Sequence, residues 1–563
     1  MPSDAPSEDT GAPDPWDVIV VGGGPGGAAA ATLLARRGWR VLCCERERFP
    51  RAHVGESLLP ASLPILDALG VLEAVEREGF VEKPGATMVW GRDTAPWSWY
   101  FRETNRTHPH SYQVWRPRFD QLLLDNARAA GVEVREGCRV AEVLFDGERA
   151  IGVRIAGEAA GSAEERARFV VDASGQAGLI ARAQSLRRYD DAFRNLAVYA
   201  YHEGAAHLPP PDAGNIFIES TSDGWCWTIP LGGGRNSVGA VVDSARGQRG
   251  IAELGTEGFY AAQLALAPRT SALLAGARRV DGPHVARDWS YVAGRLAGEA
   301  HVLVGDAACF VDPLFSSGVH LALSSAVLAA AYVTTSLRRP EMGAAAAAVY
   351  AELYLQQYGH FRELARLFYA SNRSVESYFW EARKIIGDDR AGTPREAFVR
   401  AVAGQPPQGY ERVVLERGDA PAEFAGDVHA LESERAARRR AWDAALSHGR
   451  PPPALLAAIA RPSAGVRVER KPVLEGGEFL WGDVLVSGSR PEGTPISPLV
   501  ARLLAALDGR RSLAEALDDV VADLPADRAG RMGAPLLTTL GILYVDGVID
   551  GLDAALGVSC EGN

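Results

Sequence analysis

Asp17-Val18-Ile19-Val20-Val21-Gly22-Gly23-Gly24-Pro25-Gly26-Gly27 decides the fold of this chain. The apolar run suits a strand buried in a parallel sheet, and Ala28 to Arg37 has the composition of a helix. A glycine-rich turn between such a strand and such a helix is the setting in which Gly-x-Gly-x-x-Gly binds a dinucleotide. Gly22 permits the tight turn, Gly24 lets the backbone approach a pyrophosphate, and Gly27 lets helix and strand touch. The N-terminus of that helix then presents unpaired N–H groups to the phosphates. A second strand, Arg40 to Cys44, delivers Glu45 toward the ribose hydroxyls. An α/β, Rossmann-like nucleotide-binding half is therefore expected.

The rest of the chain asks for more than one domain. Its 563 residues, 47% hydrophobic and 23% charged, describe a globular protein of two or three units. A net charge of −12 argues against nucleic acid and anionic membranes as partners. The six cysteines show neither metal-ligand spacing nor a paired framework, so no metal and a reducing, cytoplasmic setting are expected. Residues 1–15 read as a disordered start without a signal-peptide pattern, and no stretch reaches the ~20 apolar residues of a membrane span. Lysine is scarce: only Lys83, Lys384 and Lys471 occur, arginine supplying the other basic positions.

Several further stretches bear on chemistry. Gln113-Val114-Trp115-Arg116-Pro117-Arg118-Phe119-Asp120 leads into a helix, Gln121 to Ala130, and then a strand, Val132 to Glu136. Phe169 to Asp172 is another strand. His301-Val302-Leu303-Val304-Gly305-Asp306 is a strand ending in Gly-Asp, where Asp306 alone would read as a helix N-cap. Phe49 to Pro60 contains Arg51 and Gly55-Glu56-Ser57; Lys83-Pro84-Gly85-Ala86-Thr87 runs on to Trp90-Gly91; Pro313-Leu314-Phe315-Ser316-Ser317-Gly318 is a loop of small residues. Trp225-Cys226-Trp227-Thr228-Ile229-Pro230 puts two indoles on one face of a strand, which alone would be core packing.

Taken together these stretches, over roughly residues 16–380, resemble the flavin-dependent halogenases, specifically their phenol and chloramphenicol-pathway-like branch, within the aromatic-hydroxylase flavoprotein superfamily. The resemblance implies FAD held by Gly22, Gly24, Pro25, Gly26, Gly27, Glu45, Arg51, Gln113, Arg116, Asp306 and Gly318. It also implies a halide held by Ser316, Ser317 and Gly318, whose small side chains let backbone N–H groups approach it. Reduced FAD from a separate flavin reductase, O2 and chloride would make hypochlorous acid. Trp225 and Trp227 would wall the flavin off from the substrate. Lys83 would relay chlorine as a chloramine or through a hydrogen bond; a partly buried lysine can lose its proton where an arginine cannot. Glu56 either orients or deprotonates near the substrate or is structural; His53 and His320 receive no catalytic role. Asp288 either caps a turn or links the flavin covalently.

The substrate implied is a phenol, pyrrole or other electron-rich aromatic, free or tethered to a carrier protein, with an activated acyl carbon as the alternative. A flavin-dependent aromatic monooxygenase and a redox-inactive carrier-binding scaffold are the competing functions. The expected layout is an FAD-binding core with an interleaved mixed-sheet substrate region over residues 16–380, a helical and irregular extension over 381–463, and a small winged-helix-like domain over 464–556. Helices are expected at Ala326 to Leu337, Gly343 to Leu367 and Asp427 to Leu446, and three more in the last domain. Phe368-Tyr369 and Tyr378-Phe379-Trp380 are candidates to line a substrate cavity.

Overall fold

Val18, Ile19 and Val20 are fully buried because the first strand lies in the middle of a mainly parallel sheet. The computed structural model describes residues 14–91, 95–156, 163–370, 394–404, 437–446, 451–488, 490–523 and 526–558. The sheet runs Ala297–Gly298, His301–Leu303, Ala163–Asp172, Trp16–Val21, Val41–Glu45, Glu133–Glu136, with only Ala297–Gly298 antiparallel along this path. An antiparallel hairpin, Val140–Asp146 and Arg149–Ile155, continues from the beginning of Ala163–Asp172. Helix Pro25–Arg36 packs against the helices Arg116–Ala129 and Gly318–Arg338. The Rossmann-like half is present.

A second, eight-stranded sheet carries the other half. Its order is Cys309–Phe310, Arg278–Ala293, Arg187–Glu203, Arg235–Asp243, Gly224–Pro230, Ile216–Ser220, Gly85–Val89, Trp97–Tyr100. All neighbours are antiparallel except Ile216–Ser220 beside Gly85–Val89, which makes the sheet mixed. Gly224–Pro230 is an inner strand buried on both faces. Trp225 and Trp227 share one face, while Cys226 on the other packs with Phe259 and Tyr260 of helix Ser244–Ala265.

Helix Gly318–Arg338 corrects two expectations. It starts eight residues before Ala326, because Gly318 to His320, assigned to a loop by motif, already have helical geometry. It is also, at 21 residues, long and apolar enough to cross a membrane by composition; 83% of its apolar window is buried inside the fold, as a core helix requires. Helix Gly343–Ala370 extends past Leu367 and so carries Phe368 and Tyr369.

Residues 1–408 with 476–478 form one compact unit, and residues 409–475 with 479–563 form another. In the second, Ser512 caps helix Leu513–Val521 through a reciprocal bond with Glu515. Helices Pro498–Ala506 and Ala526–Val545 pack with it around Leu503, Leu540 and Tyr544. A three-stranded sheet, Arg467–Glu475, Glu478–Ser487 and Arg490–Ile496, was not expected; its charged strands hide the alternation that marks a sheet. The last long helix runs to Val545, and after it Ile549–Asp550 pairs with Arg461–Pro462. Tyr378, Phe379, Trp380 and residues 427–436 of the expected helix lie outside the described residues, as does the side chain of Asp288.

Candidate active site

The glycine-rich turn is built by close contacts. Gly22 has φ +104°, and a Cβ there would stand 2.3 Å from the Ala173 carbonyl oxygen. A Cβ on Gly27 would stand 1.9 Å from the Gly22 oxygen, so only glycine lets the helix start against its strand. No side chain caps the helix at Gly24, which leaves its first N–H groups for a ligand. Glu45 is buried; one oxygen accepts from Gly23 N at 2.7 Å and the other from Glu47 N at 2.9 Å. Arg51 leans over Gly24, its Nη2 3.4 Å from where a Cβ would be, while its buried Nη1 lies 3.4 Å from Asp120 as an ion pair without hydrogen-bond geometry.

From this turn a cavity of about 790 Å³ runs past Glu56 and Arg116 to Trp225, Trp227, Ser316 and Gly318, the size of a cofactor site. Asp306 lines it, and burial pushes its carboxyl up to about 6 against the pull of Arg116 and Arg187. The Arg51 guanidinium at the glycine turn, uncapped helix N–H groups and a carboxyl lining the cavity further along fit FAD: phosphates at one end, a polyhydroxyl chain beside Asp306.

Two residues expected to touch the cofactor also have partners within the protein. Gln113 does not line the cavity; its amide donates to the Gly214 carbonyl at 3.1 Å, tying its strand to the segment before Ile216. Arg116 does line it, but grips Asp120 at 2.7 and 2.8 Å and donates to the carbonyls of Val54 and Gly55. It fixes the loop carrying Glu56. Asp120, one helical turn on, is the partner that the i, i+4 spacing could have flagged.

Glu56 is fully buried, accepts from Tyr201 Oη at 2.9 Å and from Gly55 N at 3.0 Å, and lines the cofactor cavity. Burial raises its pKa against those two hydrogen bonds. Lys83 lies elsewhere. It lines a separate void of about 10 Å³ with Leu59, Trp99, Phe101 and Phe315, room for one water-sized molecule. Its Nζ donates to Leu58 O at 3.0 Å and sits 5.4 Å from the centre of the Phe101 ring. Burial alone lowers its pKa to about 7. Among the described residues no carboxylate forms a salt bridge with it.

Ile216 and Ser316 line both spaces and are the partition between them. Ser316 has φ +58°, a left-handed conformation that serine adopts only when its surroundings impose it. Ser317 is the N-cap of helix Gly318–Arg338, so N–H groups converge beside Gly318. Both tryptophans stand on the cofactor side of the partition, ring centres 6.0 Å apart. Trp225 Nε1 donates to Tyr369 Oη at 2.6 Å, and Tyr369 donates to Asp312 at 2.9 Å, the residue that begins the small-residue loop. Asn195 donates to the same oxygen at 3.4 Å, and the Leu314 N–H to the other. Tyr201, Asn195 and Ile216 carry no local motif; they reach the site only through strand register.

Nucleotide turn, cavity and aromatic wall define a flavoprotein of the halogenase type. The tryptophan halogenase family profile matches residues 17–109 and 95–402, and the chain belongs to that family. A tryptophan 2-halogenase of Chondromyces crocatus is 38% identical over 388 residues, covering 67% of this chain and 72% of that protein. Among solved structures, the myxobacterial chondrochloren halogenase superposes with TM-score 0.60 and 42% identity over 70% of this chain and 91% of its own. The flavin-dependent halogenase CmlS does so with TM-score 0.66 and 28% identity over 96% of both chains. The protein is a flavin-dependent halogenase, and the monooxygenase and inert-scaffold alternatives are set aside.

Proposed function

We propose that this halogenase is a chlorinase in which hypochlorous acid, made in the cofactor cavity, passes the Ile216–Ser316 partition to Lys83, which chlorinates an electron-rich aromatic. FAD, when bound and reduced, supplies the two electrons with which O2 oxidises chloride to hypochlorous acid, leaving FAD and water. Arg51, the N–H groups after Gly24, Glu45 and Asp306 hold it; Arg116 holds the Val54–Glu56 loop against it. The N–H groups around Ser317 and Gly318 hold chloride, and Glu56, whose acid form burial favours, is the local proton source.

The observation that carries this reading is the state of Lys83: buried, without a carboxylate partner, and therefore largely able to be a neutral amine near pH 7. A neutral amine attacks the chlorine of hypochlorous acid, releasing water and forming an N–Cl bond; the aromatic carbon then takes the chlorine and returns the amine. A void with room for one water-sized molecule admits small oxidants and not a ring. The organic substrate, a phenol or pyrrole that is free or carrier-tethered, must approach by displacing aromatic cover such as Phe101 or Trp99. A separate reductase supplies reduced flavin. The test is single-turnover chlorination with pre-reduced FAD: Lys83→Ala should release hypochlorous acid to a chemical trap and make no chlorinated product. Product formation by that variant would remove Lys83 from the mechanism.

A further inference from the structure

Strand Val41–Glu45 turns its two cysteines opposite ways. The Cys43 thiol points to the Gly22 carbonyl at 3.8 Å. Cys44 joins the apolar cluster of Ile19, Val21, Leu42 and Val140, and Cys138 packs against that same cluster. Gly137, at φ +68°, turns the chain after strand Glu133–Glu136, and Cys138 N then donates to Glu45 O at 2.7 Å. The turn lays the Cys138 side chain against the cluster that holds Cys44. Both are free, and both line the 790 Å³ cavity at its Glu45 end. Nothing in the halogenation chemistry uses them.

We propose that Cys44 and Cys138 are an oxidation site, a dithiol in the wall of the FAD cavity that hydrogen peroxide closes to a disulfide when the cofactor is away. The proposal rests on the cavity binding FAD and not on the Lys83 relay. Peroxide is the oxidant: reduced flavin and O2 yield it whenever halide is not consumed. Cys138, half-buried, attacks one peroxide oxygen as thiolate, giving a sulfenic acid and hydroxide, which takes up the thiol's proton as water. Cys44 then attacks that sulfur, the S–O bond breaks, and a second water leaves; two thiols are oxidised and one peroxide is reduced. Cys138 is half-buried and Cys44 is fully buried, so peroxide reaches Cys138 first, which assigns the attacking and resolving roles.

Bridging draws the segment after Cys138 toward Glu45, where the nucleotide must fit, so oxidation and cofactor binding oppose each other. A chain that has lost its flavin would then be held from reloading while peroxide persists.

The experiment treats full-length, flavin-stripped protein with hydrogen peroxide and digests it without reductant. The expected product is a peptide pair joined through Cys44 and Cys138, with the free-thiol count falling by two and recovering in dithiothreitol. FAD added beforehand should suppress the joining, and the oxidised protein should take up FAD less well than the reduced. Cys138→Ser, at a half-buried position, should keep the fold and lose the response; Cys44→Ala serves as the second variant. Absence of the joined pair, or Cys138 ending as a sulfinic acid beside an intact Cys44 thiol, overturns the site. Equal joining with and without FAD overturns its coupling to the cofactor. Flavin uptake by untreated protein, measured first, separates a failed cofactor reading from a failed thiol pair.

Discussion

The side-chain nitrogen of Lys83 lies 3.0 Å from the carbonyl oxygen of Leu58, two residues beyond Glu56. One backbone acceptor satisfies one of the amine's hydrogens and supplies no negative charge. The nitrogen is thus aimed and desolvated, and burial brings its pKa to about 7. Chloramine formation needs the neutral form, so the chlorination rate should rise with pH through about 7. Lys83→Arg should fail across this range, because the guanidinium stays charged. A rate measured with pre-reduced FAD that is flat from pH 6 to about 8 would contradict the amine's role.

The same desolvation costs stability. Unfolded Lys83 holds its proton up to about 10.4, the native chain only to about 7, so between those values the unfolded state binds more protons. Stability therefore rises with pH across that window, and below it the buried charge is a constant penalty. Lys83→Met should be more stable than the natural chain near pH 7, by about 4 kcal/mol at most, with the gap closing toward pH 10. Thermal melts at pH 7 and 9.5 read this directly.

Tyr369 links Trp225 to Asp312 and so joins the aromatic wall to the loop ending at Ser317. Tyr369→Phe removes a donor from a buried carboxylate and an acceptor from an indole, while the ring stays. Chloride should then bind more weakly, with its KM raised about tenfold for the two bonds lost, and product formed per O2 consumed should fall. Unchanged chloride KM and coupling would reduce the linkage to packing.

What the sequence revealed and what it hid divide along a physical line. Gly22, Gly27, Glu45 and Asp306 sit in contiguous strand–turn units whose geometry follows from a few neighbours, and the structure places each where the pattern implies. Lys83 stood out because lysine is scarce. Tyr201, Asn195 and Ile216 join the site only because an eight-stranded sheet sets Gly224–Pro230 beside Ile216–Ser220 and, across Arg235–Asp243, in line with Arg187–Glu203. No local spacing encodes that register. Gln113 shows the reverse: its motif pointed to the cofactor, while a single hydrogen bond to Gly214 turns it away.

Among the described residues the chain has one glycine-rich nucleotide turn, which the proposed reading assigns to FAD. Purified protein given NADPH and FAD should therefore not turn over; adding a flavin reductase should restore chlorination, strictly with halide present. Coupled NADPH oxidation by the isolated chain would show that it reduces its own flavin.

Glu56 gives the last prediction, because its partner is identified. Tyr201 Oη donates to the carboxylate at 2.9 Å and so favours the charged form, against burial, which favours the acid. The other groups around it are Gly55 N, which also favours the charge, and Arg116, committed to Asp120 but still positive. Tyr201→Phe removes one of these stabilising terms and keeps the ring against Trp115, 5.2 Å away. The Glu56 pKa must therefore move up, because a hydrogen bond that favours the charged form is lost. If protonated Glu56 supplies the proton, the alkaline limb of the chlorination profile should move up with it, while FAD affinity stays unchanged. Glu56→Gln should flatten that limb and lower the rate throughout. A Tyr201→Phe profile with its alkaline limb unmoved would make Glu56 a structural group, buried only to hold its loop.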